Sequence, residues 1–194
     1  MYYVIQVSPG TEEQTECLIR GRVDGDLYGL CFHPIRHVRK KFHGAWKDVH
    51  EKLLPGYVFL TSDRIRELYL ALQRVPRLTK VLGKDEELFV ALKDGEVEWL
   101  VKLTGVYETE GKNDSMVTVP EIGLSQVLME QDMVTILSGP LKSVEGKIKK
   151  INLHKRMAEV EVEFMGRKTV IYLGVEMVGR KNADEIVFEK PFHK

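Results

Sequence analysis

Leu54-Pro55-Gly56-Tyr57-Val58-Phe59-Leu60 decides the reading of the fold. Pro55 fixes its own φ and Gly56 admits a left-handed or closely approached backbone, so the pair marks a turn. The apolar run behind it suits a strand covered on both faces. Some eighty residues later Val134-Thr135-Ile136-Leu137-Ser138-Gly139-Pro140, followed by Gly146, reads as the hairpin of a small barrel. There strand residues run into a Gly-Pro turn, and Gly146 is expected where a side chain would crowd a tight bend.

The 194 residues suffice for one large domain or two small ones, and 43% hydrophobic with 30% charged residues is an ordinary globular composition. No apolar run is long enough to span a membrane, and the amino terminus opens on strand-like Tyr2–Val7 instead of a basic segment and an apolar one, so a cytoplasmic protein is expected. Cys17 and Cys31 lack C-x-x-C spacing and are expected to be packing thiols. Lys+Arg 29 balance Asp+Glu 29, but unevenly along the chain. Arg36, Arg39, Lys40, Lys41, Lys47 and Lys52 form one basic island among His33, His37, His43 and His50, while Lys142, Lys147, Lys149, Lys150, Lys155 and Arg156 form a second. Acidic residues concentrate between Asp85 and Glu121.

Ser8-Pro9 predicts a helix entry, with the helix running through Leu18-Ile19 to the glycines at 21 and 25. Gly44 predicts a hairpin tip between Leu30 and Leu54. Asp63 is expected to cap a helix presenting Ile65, Leu68, Tyr69 and Leu72, and Asp94 to open another, with Val97, Leu100, Val101 and Thr104 on one face and Gly105 as its stop. Lys80-Val81-Leu82 is a short strand candidate. Strands alternating with helices predict an α+β first domain over 1–107, and mixed composition predicts a linker over 108–126 with a short strand at Met116–Val119. Period-two alternation at Ala158–Phe164 and a second run at Lys168–Leu173 predict an all-β barrel of about five strands over 127–180. The remainder, 181–194, is expected as a tail with little to pack.

Taken in order, these segments resemble the NusG family of transcription elongation factors. Tyr2-Tyr3-Val4-Ile5-Gln6 is similar to the family's opening aromatic strand, Leu54-Pro55-Gly56-Tyr57 to its F-P-G-Y turn, Val75-Pro76-Arg77 to its V-P-R segment, and Gly139-Pro140 with Gly146 to the KOW motif. The resemblance implies an α+β NGN domain, an antiparallel sheet flanked by helices, followed by a small KOW β-barrel. It also implies that the NGN domain grips the clamp helices of RNA polymerase's largest subunit. Carried over, the polymerase-binding residues are Tyr2, Leu54, Pro55, Gly56 and Tyr57, with Tyr2 and Leu54 replacing a Trp and a Phe and so shrinking an apolar patch. The family's Phe-Gly-Arg barrel loop, a docking element for Rho or a small-subunit ribosomal protein, reads Met165-Gly166-Arg167 here. Loss of the aromatic weighs against Rho and is compatible with the ribosomal protein.

The first basic island admits contact with nascent RNA, in particular a hairpin, through Arg36, His37, Arg39, Lys40, Lys41 and Trp46, because cations neutralise phosphates while planar side chains stack on unpaired bases. Lys147, Lys149, Lys150, Lys155 and Arg156 are barrel candidates for the same role. The competing readings of the island are a solvated hairpin and a zinc site from His33, His37, His43 and His50, the latter opposed by Pro34, which interrupts the helical spacing. No phosphate loop, nucleophile elbow or H-E-x-x-H pattern is present, so a non-enzyme without metal or cofactor, and a monomer, is expected. The shrunken patch, the His/Arg-rich hairpin and the altered barrel loop are most similar to the LoaP antiterminators, which promote read-through in particular operons. A general housekeeping NusG acting in pausing and Rho-dependent termination, and a KOW-containing ribosome-associated RNA-binding protein, are the alternatives.

Overall fold

The protein is described by a computed structural model covering residues 1–75, 91–106, 119–130 and 133–178, with the backbone of 191–193. The Pro55-Gly56 turn opens the central strand of the first sheet. That strand, β5 (Tyr57–Thr61), lies antiparallel between β1 (Tyr2–Gln6) and β2 (Cys31–Phe32). Alternation divides the apolar residues of all three strands between two faces. Ile5, Cys31, Val58 and Leu60 pack on α1 (Glu12–Arg22) and α2 (Ile65–Leu72) through Ile19, Leu68 and Leu72. Tyr2, Val4, Phe32, Tyr57 and Phe59 occupy the opposite face.

A long ribbon of β3 (Ile35–Phe42) and β4 (Ala45–Lys52) turns at His43 and Gly44, both at positive φ (48° and 87°), which is the two-residue turn the right-handed strand twist favours. After α3 (Asp94–Thr104), stopped by Gly105 in the left-handed conformation, β6 (Glu121–Ile122) joins this ribbon parallel to β3. The carboxyl half is a curled sheet in the order β12-β8-β7-β11-β10-β9, formed by β7 (Ser125–Glu130), β8 (Met133–Ser138), β9 (Ile148–Asn152), β10 (Met157–Phe164), β11 (Arg167–Met177) and β12 (Pro191–His193). Val127, Ile136, Leu141, Val160, Ile171 and Leu173 fill it. The architecture is α+β, an NGN-type half followed by a KOW-type barrel.

Several local expectations are corrected. Helix α1 begins at Glu12 after Thr11, so Ser8 and Pro9 lie outside it, and the Ser8 carbonyl accepts from the Thr11 N–H and hydroxyl instead. Arg64 occupies the N-cap of α2, where the Ser62 hydroxyl accepts the Arg64 N–H; Asp63 is no cap. Gly139 is the crowded glycine of the barrel: at φ +95° a Cβ would stand 2.6 Å from the Ser125 Cα, whereas nothing approaches the corresponding point of Gly146, which lies in a 3₁₀ segment, Pro140–Lys147. Cys17 is exposed, and Cys31 alone is a packing thiol. Glu121–Ile122, expected in the linker, is strand β6, and in the expected tail Pro191–His193 pairs with β8. Pro76-Arg77, Lys80–Leu82 and most of Met116–Val119 lie outside the described residues.

The decisive turn is anchored from a distance. The buried Glu12 carboxylate accepts the Gly56 N–H (2.7 Å) and the Gly10 N–H (2.9 Å) and pairs with the Lys52 ammonium (2.7 Å). Burial alone would push this carboxyl up, but Lys52 and the N–H groups of Gly56, Glu12 and Gly10 outweigh it and hold the pKa at about 2. Both the folded and the unfolded carboxyl are ionised at pH 7, so the full contribution is present there and is lost as pH falls from about 4.5 towards 2. Glu12→Gln is expected to lower unfolding free energy by about 2–3 kcal/mol at pH 7 and by much less at pH 3, measured by urea denaturation.

Candidate functional site

The second face of the β1-β5-β2 sheet has no cover from α1 or α2; the barrel and α3 cover it. Phe164, at the end of β10, meets Tyr57 edge to face (ring centroids 5.0 Å apart, planes at 89°) and approaches Phe59 at 6.0 Å and Trp99 of α3 at 6.4 Å. Such contacts contribute about 0.5–1.5 kcal/mol each beyond the area they bury. Polar bonds lock the same seam. The Trp99 indole N–H donates to the Glu163 carbonyl at 2.9 Å, and Glu96 accepts the Gly166 N–H at 3.0 Å while its other oxygen accepts the Lys93 N–H at the start of α3.

The sequence-predicted apolar patch is brought together but not left open. Tyr2 and Leu54, expected in the polymerase-binding patch, are 8% and 7% exposed and belong to the core shared with the barrel. Pro55 is exposed, Gly56 buried at φ +87°, and Tyr57 half-buried beneath Phe164. Its cover is thus the second domain and not its own sheet. The Met165-Gly166-Arg167 turn, with Met165 and Gly166 at positive φ, also faces inward: Met165 packs on the shared core and Gly166 bonds Glu96, leaving Arg167 exposed.

The barrel reaches the basic ribbon as well. Arg36 donates to the Tyr172 carbonyl (2.8 Å) and pairs with Glu51 (3.0 Å); Arg39 pairs with Asp48 (2.8 Å) and with Glu176 of the barrel (2.7 Å). Arg156 lies over the Trp46 ring, 4.4 Å from its centroid. Gly174 of β11 comes so close to β3 that a Cβ would overlap the His37 carbonyl oxygen and press on Val38. Of the predicted RNA-contacting set, Arg36, Arg39, Trp46 and Arg156 are therefore engaged between the domains. Lys40 pairs with Glu51 and Lys149 with Glu161, and both remain exposed together with Lys41, Lys147, Lys150 and Lys155. The four-histidine grouping does not form: His33 is buried against Glu16, and His43 sits at the ribbon tip. His37 meets His50 and Glu121 instead.

Sequence reasoning missed Trp99, Glu96, Phe164 and Gly174. The first three follow helix or strand periodicity and give no sign of facing another domain, and Gly174 stands in an ordinary strand.

The comparisons with known proteins agree with the division into two parts. The family model "Transcription termination factor nusG" matches residues 1–101, more than half of the chain, and the KOW motif matches residues 130–163. The chain is 21% identical over 187 residues to the transcription termination/antitermination protein NusG of Neisseria meningitidis, covering 93% of this chain and 98% of that protein. It is 25% identical over 187 residues to the protein of that name in Thermus thermophilus, covering 91% and 96%. A solved structure described as "Domain interaction in Thermotoga maritima NusG" superposes with a TM-score of 0.51 at 27% identity, covering 89% of this chain and 92% of that one.

Replacing Gly174 by Ala should drive the barrel off the ribbon, because the obstruction is backbone and cannot swing aside; overpacking of this kind costs about 1–3 kcal/mol. The expected result is a red shift of tryptophan emission as Trp46 and Trp99 lose their covers, with a larger hydrodynamic radius. Gly123→Ala, where a Cβ meets nothing, should change neither.

Proposed function

The chain belongs to the NusG family of transcription termination/antitermination factors, and on that premise we propose that it is a specialised antiterminator of the LoaP kind. It binds the clamp helices of RNA polymerase through the Tyr57 face and nascent RNA through the β3-β4 ribbon. The observation that carries this reading is the composition of the sheet face. Tyr2, Val4, Phe32, Tyr57 and Phe59 make an apolar surface that α3 covers only in part, and the cover over Tyr57 comes from a barrel in the other half of the chain. A cover of that kind can be exchanged for a partner helix laid in the same place. The chain that carries the barrel then passes from a docked state to a polymerase-bound one, provided the partner favours the open form by more than the docking energy.

RNA contact is supported by the cations along the ribbon and by Trp46, which offers a stacking face once Arg156 withdraws. Lys41, Lys47, Lys150 and Lys155 give exposed positive charge in the docked state. The departure of the barrel loop from Phe-Gly-Arg, and the use of Met165 and Gly166 in the seam, favour the specialised role over Rho-dependent termination. A small-subunit ribosomal protein is the remaining partner for the barrel. No catalytic role is part of this proposal.

Tyr57→Ala should reduce co-purification with core RNA polymerase at least tenfold, while Gly174→Ala should raise it; equal recovery of Tyr57→Ala and the parent chain would refute the polymerase surface. Charge reversal at Lys40 and Lys41, which make no contact with the barrel among the described residues, should weaken binding to RNA hairpins at least tenfold in a gel shift at fixed salt and leave polymerase binding intact, whereas adding reversal of Arg39 also removes its pair with Glu176 and should raise polymerase recovery. Unchanged RNA affinity would remove the ribbon from the RNA-binding surface.

A further inference from the structure

Strand register sets three ligand-type side chains on one face of the β4-β3-β6 sheet. His37 and His50 are directly opposed across the β3-β4 ladder, and Glu121 of β6 pairs with Ile35, on the same side of the pleat as His37. The His37 Nε2 lies 2.8 Å from a Glu121 carboxylate oxygen, the two imidazole centroids are 4.1 Å apart, and one ligand atom from each of the three residues lies within 4.8 Å of the others. We propose that His37, His50 and Glu121 bind a divalent transition metal of the zinc class, clipping the strand that leads into the barrel to the basic ribbon.

The geometry needs little adjustment. Zinc bound at about 2.0–2.1 Å in a tetrahedral set requires ligand atoms roughly 3.3–3.5 Å apart. His50 and Glu121 are exposed and free to turn by that much, while the half-buried His37 fixes the centre. Two imidazoles with one carboxylate suit zinc better than calcium or magnesium, which take oxygen ligands, and water fills the fourth position. Of the cations on this face, Lys41 stands farthest along β3 from Glu121, and the two nearer ones are paired. Arg39 is held by Asp48 and Glu176, and Lys52 by Glu12. The site therefore presents a net negative charge to an incoming ion.

The consequence lies in where the ligands sit in the chain. Glu121 lies four positions before β7, the first barrel strand to follow it, and the Pro120 carbonyl accepts the Ile35 N–H at 2.9 Å. The His37 carbonyl is the group against which Gly174 packs. A metal here adds a link between ribbon and barrel entrance and favours the docked arrangement by mass action.

The test is a titration of the tag-free full-length chain with zinc sulfate against a chromophoric chelator, alongside its thermal unfolding. One equivalent of zinc per chain, with a melting temperature raised by several degrees, is expected for the parent chain. His50→Gln and Glu121→Gln should each weaken binding at least tenfold and abolish the thermal shift, while His154→Gln, an exposed histidine elsewhere, should change neither. Both altered residues are exposed, so the variants should keep the parent's circular dichroism. Zinc uptake by the parent no greater than that of a His37→Gln/His50→Gln double variant, or full binding in His50→Gln, would overturn the proposal.

Discussion

Phe164 against Tyr57 is the contact on which the rest of the structure depends. A three-stranded sheet with apolar residues on both faces needs two covers, and the helices on either side of it in sequence provide one. The other is shared by α3 and by a residue more than a hundred positions away, Phe164. Because the covering residue is at the end of β10, the barrel's own hairpin turn is drawn into the seam, where Gly166 bonds Glu96 and Trp99 bonds the Glu163 carbonyl. Once that corner is placed, β11 is laid across β3, and the Arg36, Arg39 and Trp46 contacts of the ribbon follow from the same docking.

One rigid-body arrangement thus covers two surfaces of different chemistry. The apolar face is buried by van der Waals contact and area; the ribbon is held by charge pairs and one cation–π contact, which are weaker and screened by salt. Displacement at the apolar seam would free both. Under the proposed function, polymerase engagement and exposure of Trp46 are thereby linked, without any change in the fold of either half.

Much of this was legible in the sequence, and what was not has a physical cause. The Pro55-Gly56 turn, the ribbon tip at Gly44, the stop at Gly105 and the alternation from Ala158 to Phe164 are local features, dictated by φ preferences and side-chain period, and they appear where expected. The residues proposed for polymerase binding do converge, but their cover could not be read, since Tyr57 and Phe164 are adjacent only through tertiary structure. Nothing local marks Glu12, an acid in a first helical turn, as the group that holds a turn 44 positions away. Gly174 needs no unusual φ; its reason is another domain's backbone. Helical spacing would have joined His33 to His37, whereas the strand register sets His37 beside His50 and adds Glu121.

The most direct measurement is an aromatic nuclear Overhauser experiment on the intact chain with labelled Tyr and Phe. Cross-peaks between the Tyr57 and Phe164 rings, at the intensity expected for centroids 5.0 Å apart, are the predicted result. Their absence, with the barrel and the amino-terminal sheet tumbling independently, would contradict the account.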